Sequence, residues 1–331
     1  MKKTIIFFVL AVMMMVGKTF AQSTAVANLY HEGAVTHFYG ATALSAAHNA
    51  AVNGDTITLS SGDFLAHDLT ITKAITIIGA GMNADSNGMV TYLRNNITIN
   101  ISEAAGHDLK IEGIYNNSKL TVTKTTTNST ISKSRLLQVE NNDKMIYVHC
   151  KIAQLIGGDG RKELYNCFLI DNGSETANFY AVHCIIYSTF PGFLINSTFQ
   201  DCIFYRHDDA QYVYDDMSFL PLTTTANNCC SINNIYIFDN IQGNNRDNEI
   251  GLTFVSFFKN FSGSYDDNLT FELTNEAATT YLGADGTQVG IYGGTIPFDP
   301  TPSNPQITKF NVASKAVNGK VSVQVEVNGG E

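Results

Sequence analysis

YVHCKI at residues 147–152, YNCFLI at 165–170, AVHCII at 181–186 and DCIFY at 201–205 are four versions of one phrase. Their cysteines, Cys150, Cys167, Cys184 and Cys202, stand 17, 17 and 18 residues apart. Self-similarity near 20 residues marks a solenoid, in which one turn cannot bury its own apolar face and stacks on the next. Because successive strand side chains point to opposite sides, each phrase should send alternate residues inward. Aligned on cysteine, Val148, Cys150 and Ile152, then Tyr165, Cys167 and Leu169, then Val182, Cys184 and Ile186, then Cys202 and Phe204 form one expected inward column. NCCSI at 228–232 would add Cys230 and Ile232 to it.

Parallel rungs lie about 4.8 Å apart, so the cysteines are expected to line up as small buried hydrophobes. An even cysteine count in an exported chain also suits a disulfide framework. Stacked Cβ vectors point the same way rather than toward each other, which favours free thiols.

Short alternating strands recur elsewhere at DTITL (55–59), DLTIT (68–72), AITII (74–78), NITINI (96–101), DLKIEGI (108–114) and KLTVT (119–123), separated by Gly, Asn, Asp and Ser turns. One helical pattern interrupts them. ATALSAAHNAAV, residues 41–52, places Leu44, Ala47 and Ala51 on one face before an Asn53-Gly54 stop. A helix there would cover the open end of the stack. Four of six prolines fall in PFDPTPSNP, residues 297–305, which reads as a stiff linker. Beyond it QITKFNV and KVSVQVEV flank Asn318-Gly319, a hairpin signal within a tail spanning 306–331.

The run from Ala41 to Gly81 resembles the N-terminal cap and first coils of right-handed parallel β-helix proteins of the pectate-lyase-like superfamily. GADGTQVGIYGG, residues 283–294, resembles the closing segment of secreted bacterial β-helices. The resemblance implies an all-β solenoid over residues 22–296, with a short capping helix and a small C-terminal β appendage. It does not imply an activity, since that superfamily holds lyases, hydrolases, epimerases and proteins without known catalysis. The chain lacks GHG and NTD of the polygalacturonase-like hydrolases, DPHD of the alginate epimerases and RxPxxR of the pectate lyases.

Lys2 and Lys3, the apolar run from Ile5 to Val16 and the small-residue site ending at Ala21 read as a signal peptide, so the mature product is expected outside the cell, at its surface or in the periplasm. The apolar run is too short to span a bilayer. The formal net charge is −10, and removing the leader takes three lysines and no acid. An acidic chain without basic runs repels phosphate backbones, which argues against nucleic acid as a partner. No phosphate loop, CxxC pair or serine elbow is present, and no cofactor is expected, although an Asp-rich loop can take calcium.

Two groups of residues are candidates for a site. Just before the cysteines stand His149, Asn166, His183 and Asp201, an outward polar column that either binds something or satisfies backbone groups at a turn. His149 and His183 lie two coils, about 9.6 Å, apart, too far to share zinc. The second group, YRHDDAQYVYDD at 205–216, offers Tyr205, Arg206, His207, Asp208, Asp209, Tyr212, Tyr214, Asp215 and Asp216. It mixes sugar-stacking rings with carboxylates that could hold calcium or serve a lyase or hydrolase. The expectation is a secreted, non-catalytic glycan-binding or adhesin-like protein whose partner is a polysaccharide or surface glycan. A polysaccharide lyase or glycoside hydrolase is the alternative, and a structural spacer the second.

Overall fold

A computed structural model describes residues 25–328 apart from 67, 84–89, 103, 105, 172–175, 189–193, 206–223, 233–244, 246–256, 260–269, 313–319 and 321. Two eleven-stranded sheets form the walls of a parallel β-helix. The first stacks Thr56–Leu59, Thr76–Ile78, Lys110–Glu112, Thr130–Ser132, Met145–Val148, Lys162–Tyr165, Phe179–Val182, Thr198–Gln200 and Thr225–Asn227, in chain order and parallel throughout. Each of these strands feeds one in the second sheet, from Gly62–Leu65 to Cys230–Ile232. All six alternating segments expected from sequence contain a strand of the solenoid. Among the described residues no helix is long and apolar enough to cross a membrane.

The expected cap is present as a helix at Ala43–Ala50, with Leu44, Ala47 and Ala51 buried. An unforeseen hairpin, Val26–His31 with Ala34–Tyr39, pairs antiparallel to the first rung and shares the capping role. His48 of the helix is buried and accepts a hydrogen bond from the Thr72 amide at 3.2 Å. Burial, helped by nearby Lys73, lowers its pKa to about 4, so it stays neutral. Lys73 Nζ donates to the carbonyls of His48 and Asn49 at 2.6 and 2.9 Å, satisfying groups left open at the helix end.

Between the two sheets the chain turns through a residue in the left-handed region. Gly113, Lys133, His149, Asn166, His183, Asp201 and Asn228 have φ between +47° and +68°. Asn, Asp and His tolerate this region better than most residues, which explains their recurrence before the cysteines. The corner also breaks the alternation expected from sequence. Tyr147 and Cys150 both face the core, while Val148 between them does not, and Leu164 and Ala181 replace Tyr165 and Val182 as inward residues. The register continues the column with Cys229 rather than Cys230, because Asn228 is the corner of that rung.

All six cysteines are free and buried, as favoured from sequence. Their spacing has a further cause. The amides of Cys150, Cys167 and Cys184 donate to the Sγ atoms of Cys167, Cys184 and Cys202, one rung on, at 3.4, 3.5 and 3.4 Å. Each thiol in turn donates to the carbonyl two residues before it, as Cys150 does to Val148 and Cys202 to Gln200 at 3.4 and 3.2 Å. Ser134 does the same one rung earlier, accepting from the Ile114 amide at 3.3 Å and donating to Ser132 at 2.7 Å. At the far end the Cys229 amide donates to Asn245 Oδ1 at 3.1 Å. The column is thus a ladder of small groups that both donate and accept, and that satisfies amides the corner turns away from the sheet. Burial pushes the thiols of Cys150, Cys184, Cys202 and Cys229 well above the usual range.

One charged residue sits within the apolar interior. Lys162 is fully buried, and its Nζ donates to the Gly158 carbonyl at 2.6 Å and lies 5.7 Å from the centroid of Phe179. Burial, only partly offset by Asp159, lowers its pKa from 10.5 to about 8. Between those values the unfolded chain binds more protons, so the destabilisation due to Lys162 is complete below about pH 8 and fades as pH rises toward 10.5. Lys162→Met should therefore be more stable than wild type near neutral pH, with the gap shrinking by up to about 3 kcal/mol on the way to alkaline pH. Urea unfolding of both proteins across that range checks this, and the difference is needed because buried thiols lose stability on the same alkaline side. A gap independent of pH would show that Lys162 keeps an ordinary ammonium.

Candidate functional site

The outer face of the second sheet carries a column fixed by strand register. It runs Asp63, Tyr92, Tyr115, Arg135 and Lys151, then Phe168, Ile185, Ile203 and Cys230. The change from polar to apolar decides what covers it. The apolar half is roofed by the C-terminal part of the chain, including Phe257, Phe271, Val289 and Ile291, which forms a second core outside the solenoid. Phe168 stacks on Phe271 with centroids 4.3 Å apart. The polar half is not part of that core.

In the polar half Tyr92 and Tyr115 sit one rung apart, with centroids at 5.3 Å. Arg94 lies over Tyr92 at 4.8 Å and Arg135 over Tyr115 at 4.7 Å. Asp63 accepts a hydrogen bond from Arg94 Nε at 2.7 Å, and both side chains are exposed. Rigid strands therefore display a strip of rings, guanidinium donors and a carboxylate whose conformations are held by mutual contact. Sequence reading missed this strip, because its members are about 20 residues apart and follow no local motif.

The column of His149, Asn166, His183 and Asp201 points away from the interior, as expected, but it is not a surface. All four residues are buried beneath a strap, residues 283–303, that runs back along the corners toward the N-terminal rungs. Ala284 N donates to Asp201 Oδ1 at 2.9 Å. Asn166 Nδ2 donates to the carbonyls of Ile291 and Gly293 at 2.9 and 2.8 Å. His149 Nε2 meets the Ile296 carbonyl at 3.1 Å, and Lys133 Nζ reaches Asp299 and the Thr301 carbonyl at 3.0 and 2.6 Å. Ser303 Oγ donates to Glu112 at 3.0 Å. The proline-containing stretch at 297–305 supplies the lower contacts of this strap. Its glycines are where the corners approach closely: a Cβ on Gly283 would lie 2.7 Å from Asp201 Cγ, and one on Gly293 2.4 Å from His183 Nδ1.

The strap also brings Asp285 to the column. His183 Nε2 lies 3.2 Å from Asp285 Oδ2 and 3.6 Å from Asp201 Oδ2, and these three residues form a cluster of metal-ligating type. Burial raises the Asp285 carboxyl, but hydrogen bonds from Thr287, with His183 nearby, bring it below the ordinary carboxylate range. Asp285 lies in GADGTQVGIYGG, which sequence alone marks only as a closing segment; the spacing of about 100 residues from His183 hides the pairing.

Of the second candidate group, Tyr205 ends the strand Ile203–Tyr205 and pairs with Tyr187. Arg206, His207, Asp208, Asp209, Tyr212, Tyr214, Asp215 and Asp216 lie outside the described residues, as does the expected leader. No family model, curated protein or solved structure matches this chain.

Proposed function

We propose that the protein is a secreted or surface-associated, non-catalytic solenoid that binds a polysaccharide or surface glycan along the strip of Asp63, Arg94, Tyr92, Tyr115 and Arg135. The observation that carries this reading is the pair of tyrosines one rung apart, each beneath a guanidinium. The guanidiniums stacked on the rings, the tyrosine hydroxyls and the Asp63 carboxylate offer donors and acceptors to sugar hydroxyls. Within the strip two guanidiniums, Arg94 and Arg135, stand against the single carboxylate of Asp63, a local positive excess on a chain of net charge −10 that suits an acidic glycan. The likeness of residues 41–81 to pectate-lyase-like β-helices, and of 283–294 to the closing segment of secreted bacterial β-helices, supports a carbohydrate ligand, and the lack of the pectate-lyase-like catalytic motifs supports binding without cleavage.

A glycan array probed with wild type, Tyr115→Ala and Arg135→Ala tests this reading. Each variant should bind the preferred glycan at least about tenfold more weakly, the scale of a lost contact worth 1.4 kcal/mol or more. Undiminished binding by both variants would place the ligand elsewhere. Release of unsaturated uronate products, read by ultraviolet absorbance, would replace the binding reading with that of a lyase.

A further inference from the structure

The geometry points to a divalent transition-metal site, of the zinc class, formed by His183 Nε2, Asp201 Oδ2 and Asp285 Oδ2. Nothing in this inference depends on the glycan-binding strip. His183 and Asp201 occupy successive left-handed corners, so both side chains leave the solenoid on the same side, one rung apart. Asp285 closes the set from the strap. The three ligand atoms lie within 4.8 Å of one another.

The separations suit a shared ion, although the 3.2 Å pair of His183 and Asp285 also fits a hydrogen bond. Metal–ligand distances near 2.1 Å in a tetrahedron place ligand atoms about 3.4 Å apart. The two separations from Nε2, 3.2 and 3.6 Å, bracket that value. As a hydrogen bond the second is too long, and a single Nε2–H cannot serve two carboxylates.

Each carboxylate is already oriented for the task. Asp201 Oδ1 is held by the Ala284 amide at 2.9 Å, and Asp285 Oδ1 by the amide and hydroxyl of Thr287 at 2.9 and 2.7 Å. The remaining oxygen of each faces Nε2, although Gln200 Nε2 also approaches Asp201 Oδ2 at 3.2 Å. Hydrogen bonds that fix the non-ligating atoms are a regular property of metal sites.

One further observation points to a cation. Asp201 is fully buried and His183 nearly so, yet two carboxylates converge on one ring nitrogen. An imidazolium balances half of that charge, whereas a divalent ion balances all of it. Metal on Nε2 would place the ring proton on Nδ1, on the side of the imidazole that Gly293 packs against. One imidazole and two carboxylates, with a partly exposed Asp285 leaving a fourth position to water, match zinc rather than calcium or magnesium, which want six or more oxygen ligands.

The untagged full-length protein, stripped with chelator, is titrated with zinc sulfate by calorimetry and separately with cobalt(II). One equivalent of zinc should bind and raise the melting temperature, and cobalt should give the intense visible bands of a tetrahedral site. Asp285→Asn should weaken zinc binding at least tenfold while leaving the circular dichroism unchanged. Failure of wild type to bind zinc, a calcium preference, a weak octahedral cobalt spectrum or wild-type zinc affinity in Asp285→Asn would each overturn the site. If that variant does not fold, the cobalt spectrum of wild type decides alone.

Discussion

Cys184→Ala should lower stability by about 2–4 kcal/mol, whereas Cys184→Ser should cost clearly less. Alanine removes the acceptor of the Cys167 amide, 3.5 Å away, and leaves that buried N–H unpaired. It also removes the donor to the Val182 carbonyl and opens a small void in a fully buried column. Serine keeps both hydrogen-bonding roles, as Ser134 demonstrates one turn before the first cysteine. Urea unfolding followed by far-ultraviolet circular dichroism measures the three proteins. Equal losses for alanine and serine would mean that the thiols act only as filler. In the native wild type, none of the four thiols raised by burial should react with an aromatic disulfide reagent until the chain unfolds.

Gly293→Ala should detach the strap while leaving the solenoid folded. Its Cβ would stand 1.8 Å from the Gln288 carbonyl oxygen and 2.4 Å from His183 Nδ1, and backbone cannot yield as a flexible side-chain tip can. The two hydrogen bonds of Asn166 to the strap would then be lost, and with them the roof over Phe168, Ile185 and Ile203. We expect protease cleavage within residues 283–303 to accelerate at least tenfold, with new binding of a hydrophobic dye and little change in circular dichroism. Unaltered cleavage would show that the strap accommodates the extra methyl group. Cooperative loss of all strand signal would show that strap and rungs form one folding unit.

The solenoid was legible because its cause is local. A phrase such as YVHCKI carries the inward cysteine, the corner residue and the following strand within six positions, and the capping helix carries its own periodicity and stop. What local pattern could not show is where the chain turns between sheets. Alternation is a rule for strands, and His149 is not in one, so alternation alone places Val148, Tyr165 and Cys230 inward, where the corner puts Tyr147, Leu164 and Cys229. The site was less legible for a different reason. On a parallel stack, neighbours such as Tyr92 and Tyr115 come from separate turns, and Asp285 reaches His183 only because a distant segment folds back. The buried column of His149, Asn166, His183 and Asp201 could be read as a set, but nothing within those phrases announced the strap that hides it.

That strap imposes an order of assembly. Rungs emerge from the N-terminus and can stack as they appear, since each needs only the one before it. The corners at Lys133 through Asp201 are sealed by residues 283–303, which emerge far later. A chain folding in that order would leave the imidazoles and carboxylate of the corners wet and the outer apolar column bare until then, a sticky stage that ends only with the far end of the chain.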